Sequence, residues 1–378
     1  MRNLFVLALV ACAVPAGVAA QQELQFSGHR WTTRGELKAE QYLGAEALLM
    51  RNAAAELADV EFAAGTIEFD LATAGPRSFV GIAFHVQEGR RDYEHFYLRP
   101  HQTGRFDALQ YTPVFNGISA WQLYPEYNTA FDIPRDRWIH VRLDVDGSRL
   151  VVYLDHGSDP AVTIERLEGG WEGGRVILLA NFPANAPPGF FPTAFANFEI
   201  RPSVATASPG APSRPPAEPG TVREWAISPS FSASALPLES IPDSSLPAAD
   251  WTVVPAEPSG RVNVARYRAI PFGSNSGTVL ARVVVRSDTD QIKRLHFGFS
   301  DRVSVFLNRR VIFTGNNTYR SRSQRYLGVM TVENDALYLP LRRGENELIM
   351  AVSEAFGGWG LIARLADTQG ISVEAARP

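Results

Sequence analysis

Between residues 93 and 124 the chain reads YEHFYLRPHQTGRFDALQYTPVFNGISAWQLY, a concentration of side chains able to hydrogen-bond or stack. From Tyr93 onward the odd positions are Tyr93, His95, Tyr97 and Arg99, and the even positions include Phe96 and Leu98. A strand sends alternate residues to opposite faces, so the even set is expected in the core and the odd set outside it. The odd face would offer flat rings beside donors and acceptors. That chemistry suits a sugar, whose C–H face packs on a ring while its hydroxyls pair with planar polar groups. The candidate ligand-binding residues are Tyr97, Arg99, His101, Gln110, Tyr111, Asn116, Trp121 and Gln122, with Asp107 and Tyr124 among them in sequence. The competing reading is the polar outer face of an ordinary strand, because aromatic residues favour strands anyway.

Other chemistries find less support. No Gly-x-Ser-x-Gly occurs, and Gly298-Phe299-Ser300-Asp301-Arg302 lacks the closing glycine of a nucleophile elbow. His-Glu-x-x-His, the phosphate loop and the dinucleotide fingerprint are also missing. Six of the seven histidines (29, 85, 95, 101, 140 and 156) lie in the first half. His95 and His101 are an even number apart, but Pro100 interrupts the strand between them, and two histidines alone do not hold zinc. No cofactor is expected, apart from the option of a structural calcium ion held by rim loops without a local motif. Asp288-Thr289-Asp290 reads as a turn, and Asp144 and Asp146 belong to a hairpin. Arg309, Arg310, Arg320, Arg322 and Arg325 surround TGNNTYRSRSQRY, which reads as a solvated loop before it reads as an anion site.

MRNLFVLALVACAVPAGVAAQQ has the order of a secretory signal: Arg2, an apolar run, then small residues before Gln21. Residues 1–20 are therefore expected to be a signal peptide, and the protein to be exported to the bacterial periplasm or beyond. Leu9-Val10-Ala11-Cys12 also has the look of a lipobox, but its apolar stretch is short for one, so lipidation at Cys12 is the lesser reading. Cys12 is the only cysteine. A cut after Ala20 would leave a chain without disulfides or thiolate chemistry. The net charge of −4 argues for neither a nucleic-acid nor a membrane partner, and no later run is long enough for an integral span.

RPSVATASPGAPSRPPAEPG, residues 201–220, has almost nothing to bury and reads as a semi-extended linker. It separates a half with net charge −8 (21–202) from one with +3 (203–378). In the first half GTIEFDLATAG, SFVGIAFHV, WIHVRLDVDGSRLVVYLD, GGRVILLANF and TAFANFEIRP alternate like strands, with Val80, Ile82, Phe84 and Val86 on one face and Asp146-Gly147 at a hairpin turn. In the second half TVLARVVVRSD, KRLHFGFSD, VSVFLNRRVIFTG, DALYLPLRRGENELIMAVSE and GWGLIARL do the same. No long helical period appears. The fold class is all-β: two antiparallel β-sandwich domains of jelly-roll type, 21–202 and 222–378, joined by the Pro/Ala/Ser-rich linker 203–221.

GTIEFDL, the run from SFVGIAF to HFYLRPH, and the 138–155 hairpin resemble the concanavalin A-like lectin/glucanase superfamily in its laminin G-like branch. The resemblance implies a jelly roll that binds glycans on its concave face or rim. FGFSDRVSVFLNRRVIFTG with LPLRRGENELIMAVSEAFGGWGLIARL resembles galactose-binding-like jelly rolls, through Asp301, Leu307 to Val311, and Leu341 to Asn346; residues 222–269 match that pattern poorly. Retaining glucanases of the first superfamily carry Glu-x-Asp-x-x-Glu. Here Glu68 and Asp70 are followed by Thr73, so the general acid is missing. The leading expectation is an exported, non-catalytic carbohydrate-binding protein with a carbohydrate ligand. The alternatives are a glycoside hydrolase using carboxylates from separate strands, first Glu94, Asp107 and Glu126, and an envelope adhesion or scaffold protein.

Overall fold

The structure, a computed structural model, describes residues 22–74, 77–182, 187, 189–205, 217–232 and 250–376. The expected signal peptide, Cys12 and the middle of the expected linker (206–216) lie outside the described residues. The chain divides into two compact units, Met1–Ser213 and Arg214–Pro378. Among the described residues every helical segment is a three-residue 3-10 turn. No helix there is long and apolar enough to cross a membrane. Both units are built of antiparallel sheets, and the fold is all-β.

The first unit begins with β1 (Gln22–Phe26), β2 (His29–Tyr42), β3 (Ala45–Leu57) and β4 (Gly65–Thr73). Then follow β5 (Phe79–Val86), β6 (Tyr93–Leu98), β7 (Leu109–Phe115), β8 (Ile118–Ser119) and β9 (Asn128–Thr129). It closes with β10 (Ile139–Asp146), β11 (Arg149–Leu154), β12 (Val162–Ile164), β13 (Arg175–Asn181) and β14 (Thr193–Pro202). Hydrogen bonds join them in the order β12-β11-β10-β4-β14-β3-β13-β5-β6-β7-β8, with β2 on β3, β1 on β2 and β9 on β7. β4 shows the alternation read from sequence: Ile67, Phe69 and Leu71 are buried, while Glu68 and Asp70 are partly exposed. The β10–β11 ladder pairs Asp146 with Arg149, so the turn is Gly147-Ser148, one residue later than expected.

β5, β6 and β7 differ from a half-solvated strand. Nearly every residue in them is buried, so both faces are covered. A second departure sits at the end of β5. His85 has φ +49, and the ladder to β13 shifts between Arg175 and Ile177. This bulge turns Val86 into the cluster of Ala83, Tyr93, Val114 and Ile177, away from the face it was expected to share with Val80, Ile82 and Phe84.

The second unit contains β15 (Glu224–Ile227), β16 (Thr252–Pro255), β17 (Val262–Asn263), β18 (Gly277–Ser287), β19 (Gln291–Ser300) and β20 (Arg302–Leu307). It continues with β21 (Arg310–Asn316), β22 (Asp335–Leu341), β23 (Gly344–Glu354), β24 (Gly360–Leu365) and β25 (Ile371–Ala375). One sheet runs β16-β15-β18-β23-β20-β21 with β25 on β18, and a second runs β17-β24-β19-β22. Residues 222–269, unplaced by the sequence, supply β15, β16 and β17, and Trp225 from β15 is fully buried. Leu307 pairs with Arg310 across Asn308 and Arg309, both with positive φ, a two-residue turn whose twist matches the strands it joins.

Candidate functional site

The ladder of β6 on β7 decides which of the eight expected ligand residues stand together. Tyr97 is opposite Gln110, His95 opposite Thr112, and Phe96 opposite Tyr111. Opposed residues of an antiparallel pair share a face. Tyr97 and Gln110 therefore lie with His95, whereas Tyr111 lies on the other face with Glu94, Phe96 and Leu98. The expectation of one continuous ligand face does not hold. Nor are these side chains open to solvent: Tyr97, Arg99, Gln110, Tyr111 and Gln122 are all at most 5% exposed. The reason is the covering of β5–β7 on both sides. His101, Asn116 and Trp121 are partly exposed.

On the odd face the Tyr97 hydroxyl donates to Gln110 Oε1, and Gln110 Nε2 donates to Asn128 Oδ1 on β9 at 2.8 Å. The His95 ring stacks on Tyr97 with centroids 4.5 Å apart, and among the described residues neither ring nitrogen has a hydrogen-bond partner. Burial pushes its pKa down to about 3, so the ring is neutral. Past the strand end Arg99 forms a buried ion pair with Asp107 and lies over the Phe79 ring. His101 sits in the 3-10 turn Pro100–Gln102, edge-on to Phe79 at 5.2 Å. Burial first, then Arg99 and Arg77, lower its pKa to about 3. Asn116 is a turn residue: with Gly117 it joins Phe115 to Ile118, both at positive φ, and its N–H donates to Asp92 Oδ1.

On the even face the Glu94 carboxylate, wholly buried, accepts the Tyr111 hydroxyl at 2.6 Å and the Gly169 N–H at 2.8 Å. Tyr111 Oη in turn accepts from the Glu168 N–H at 2.7 Å, and the Tyr127 hydroxyl donates to Glu168 Oε1 at 2.7 Å. Burial, then the charge and hydrogen bond of Glu94, hold the Tyr111 hydroxyl well above its ordinary pKa. Tyr127 stands edge-on to Tyr111 at 5.1 Å and stacks on Tyr124. Trp171 packs on Phe115 and covers Gly169, where a Cβ would fall 2.0 Å from the indole. Trp121, Glu126, Asn128, Glu168 and Trp171 are among the residues here that reach solvent. Sequence reading missed Tyr127, Asn128, Glu168 and Trp171. Glu168-Gly169-Gly170-Trp171 was the available signal, a glycine pair between a carboxylate and an indole that lets Trp171 cover Gly169.

The carboxylates of the hydrolase reading are dispersed. Glu94 is saturated on the even face, Asp107 is held by Arg99 beyond the end of β6, and Glu126 is exposed in a 3-10 turn. Glu68 pairs with Arg201, and Asp70 takes His140 Nδ1 at 2.9 Å and Asn197 Nδ2 at 2.7 Å. Among the described residues no group of three or more His, Cys, Asp or Glu is placed to hold a metal ion. In the second unit Arg309 pairs with Glu347 and Arg322 with Asp335, while Arg320 lies over the Tyr319 ring.

No family model matches the sequence, and no curated protein matches it. Solved structures do resemble part of it. The carbohydrate-binding module CBM66 from Bacillus subtilis is 12% identical with a TM-score of 0.32, over 45% of this chain and 92% of that one. Domain 4 of AbnA, a GH43 extracellular arabinanase from Geobacillus stearothermophilus in complex with arabinotriose, is 12% identical with a TM-score of 0.31, over 46% and 78%. A protein with a galectin-like fold from Bacillus subtilis is 10% identical with a TM-score of 0.33, over 47% and 90%.

Proposed function

We propose that the protein is an exported, non-catalytic carbohydrate-binding protein whose N-terminal unit grips a glycan at a rim on the even-face side, built from Trp121, Glu168 and Trp171. One observation carries this reading. The buried even-face network Glu94–Tyr111–Glu168–Tyr127 ends on Glu168, which reaches solvent next to Gly169, the residue that Trp171 covers. A weak-binding polar ligand such as a sugar gains most from groups whose rotamers are already fixed, because ordering them on binding costs about 0.5–1.5 kcal/mol per side chain. The rim supplies two indoles for C–H faces and a carboxylate for hydroxyls.

In this reading Trp121 keeps its expected role as a contact. Tyr97, Gln110, Tyr111 and Gln122 become supports beneath the surface, Arg99 and His101 fix the strand end, and Asn116 makes a turn. Hydrolysis is disfavoured, since Glu94 already accepts two hydrogen bonds and Asp107 has its counter-ion, whereas a glycosidase needs two carboxyl groups about 5–9.5 Å apart across the scissile bond.

The test is affinity electrophoresis of the full chain through gels containing soluble polysaccharides, backed by a glycan array. Wild type is expected to be retarded by at least one glycan, and a Trp121→Ala/Trp171→Ala double variant with an unchanged melting curve is expected to migrate freely. Wild-type migration unaffected by every glycan in both formats would sink the proposal.

A further inference from the structure

In the second unit two acids are buried side by side, and among the described residues no cation is paired to them. Asp301, between β19 and β20, is fully buried, and Glu354, the last residue of β23, is 3% exposed. The β20–β23 ladder opposes Arg302 to Ser353, and the Asp301 N–H donates to Ser353 O at 2.8 Å, which sets the two acids at adjacent strand ends. Both hold the same piece of chain. Asp301 Oδ2 accepts the N–H groups of Ala355 at 2.8 Å and Phe356 at 2.5 Å. The Gly358 N–H acts on the Glu354 carboxylate and favours its charged form. Between these anchors Gly357 and Gly358 have φ +100 and +141, and Trp359, fully buried, donates Nε1–H to Val352 O. Among the described residues Asp301 Oδ1 and Glu354 Oε2 have no hydrogen-bond partner.

Two carboxylates in one dry site do not both ionise: the second charge pays desolvation and repulsion together. Arg302, which is exposed, and the Ser300 side chain favour the charged form of Asp301 but only partly offset its burial. We propose that Asp301 and Glu354 hold a single proton between them, and that this proton latches the 355–359 loop onto the ends of β20 and β23. Asp301 and Glu354 are the titratable groups facing each other here; Arg302 is the other charged group acting on the pair. In agreement, burial raises both groups, Asp301 to about 7, and the Asp301 charge raises Glu354 further.

The sign follows. A carboxyl whose folded pKa is raised keeps its proton in the native state after the unfolded chain has lost it. The latch is therefore complete below the ordinary carboxylate range and weakens as pH rises through about 7. The equilibrium between latched and open loop shifts up to about tenfold per pH unit for the one proton retained.

Amide hydrogen exchange of the full chain reads this directly in the peptide covering 354–360. Wild type and Glu354→Gln are compared at pH 5.5 and 8.5, each with EDTA and with calcium chloride. The side-chain amide that Glu354→Gln introduces donates to Asp301 at every pH, so it stands in permanently for the shared proton. Wild-type protection in this peptide, relative to the variant at the same pH, is expected to fall at least tenfold between the two pH values in either additive. Equal protection in both proteins at both pH values would overturn the proposal. So would wild-type protection that calcium restores and EDTA removes at pH 8.5, which would make the site a cation's.

Discussion

At the scale of single residues, the hydrogen bond from Tyr97 to Gln110 shows how a polar strand residue can be structural. Both partners are buried, so losing one leaves the other unsatisfied. Tyr97→Phe is expected to destabilise the first unit by about 1–3 kcal/mol, seen as a lower urea midpoint with an unchanged slope. It is also expected to weaken glycan retention less than removal of the two rim tryptophans, because the Tyr97–Gln110–Asn128 network lies on the face opposite to Glu168 and Trp171. A Tyr97→Phe chain as stable as wild type would mean that the network fixes nothing. The residue types of this segment were legible in the sequence, and so was their concentration. Their facing was not. Alternation along β6 is readable from one strand, but the register that puts Tyr111 with Phe96 is a property of two strands, and one residue of slip reverses it.

At the scale of elements, the strands with alternating β-branched and aromatic residues were readable, and those made of helix-favouring residues were not. Residues 34–58, RGELKAEQYLGAEALLMRNAAAELA, are rich in Ala, Leu and Glu, yet they form most of β2 and β3. Propensity loses here because β3 is paired on both edges, with β2 along one and with β14 and then β13 along the other. Ala47 and Ala53 to Ala55 are buried there, where small side chains let neighbouring layers close. The positive-φ turns Ser27-Gly28 and Leu43-Gly44, which join β1 to β2 and β2 to β3, were the signal available. Gly81 in β5 has a similar hidden purpose. A Cβ at this position would lie 2.1 Å from Phe96 O and 2.6 Å from Tyr97 Cα. Gly81→Ala is therefore expected to push β5 from β6 and to cost about 1–3 kcal/mol or more. Urea unfolding measures the cost, and an unperturbed midpoint would show that the two strands can part without loss.

At the scale of the whole molecule, the two units carry buried titratable groups of opposite sign. In the first, His85 and His95 are buried and neutral, with pKa values lowered by burial to about 4 and about 3. A base whose folded pKa is depressed gives stability that is present above its unfolded value, near 6.5, and lost as pH falls toward the folded one. At pH 5 each of these two histidines is expected to remove about 2 kcal/mol from the first unit. In the second unit the raised Asp301–Glu354 pair acts the other way, and stability drains as pH climbs through about 7. The chain as a whole should thus be most robust near neutrality, for two unrelated reasons located in different sandwiches. Urea titrations at pH 5, 7 and 8.5, read by hydrogen exchange separately in β5–β7 peptides and in β20–β23 peptides, test this. The first set is expected to lose its midpoint on the acid side, and a His95→Phe variant to lose less of it; the second set is expected to lose its midpoint on the alkaline side. Midpoints of both sets moving in the same direction with pH would show that the buried histidines or the buried acids do not govern the unit that contains them.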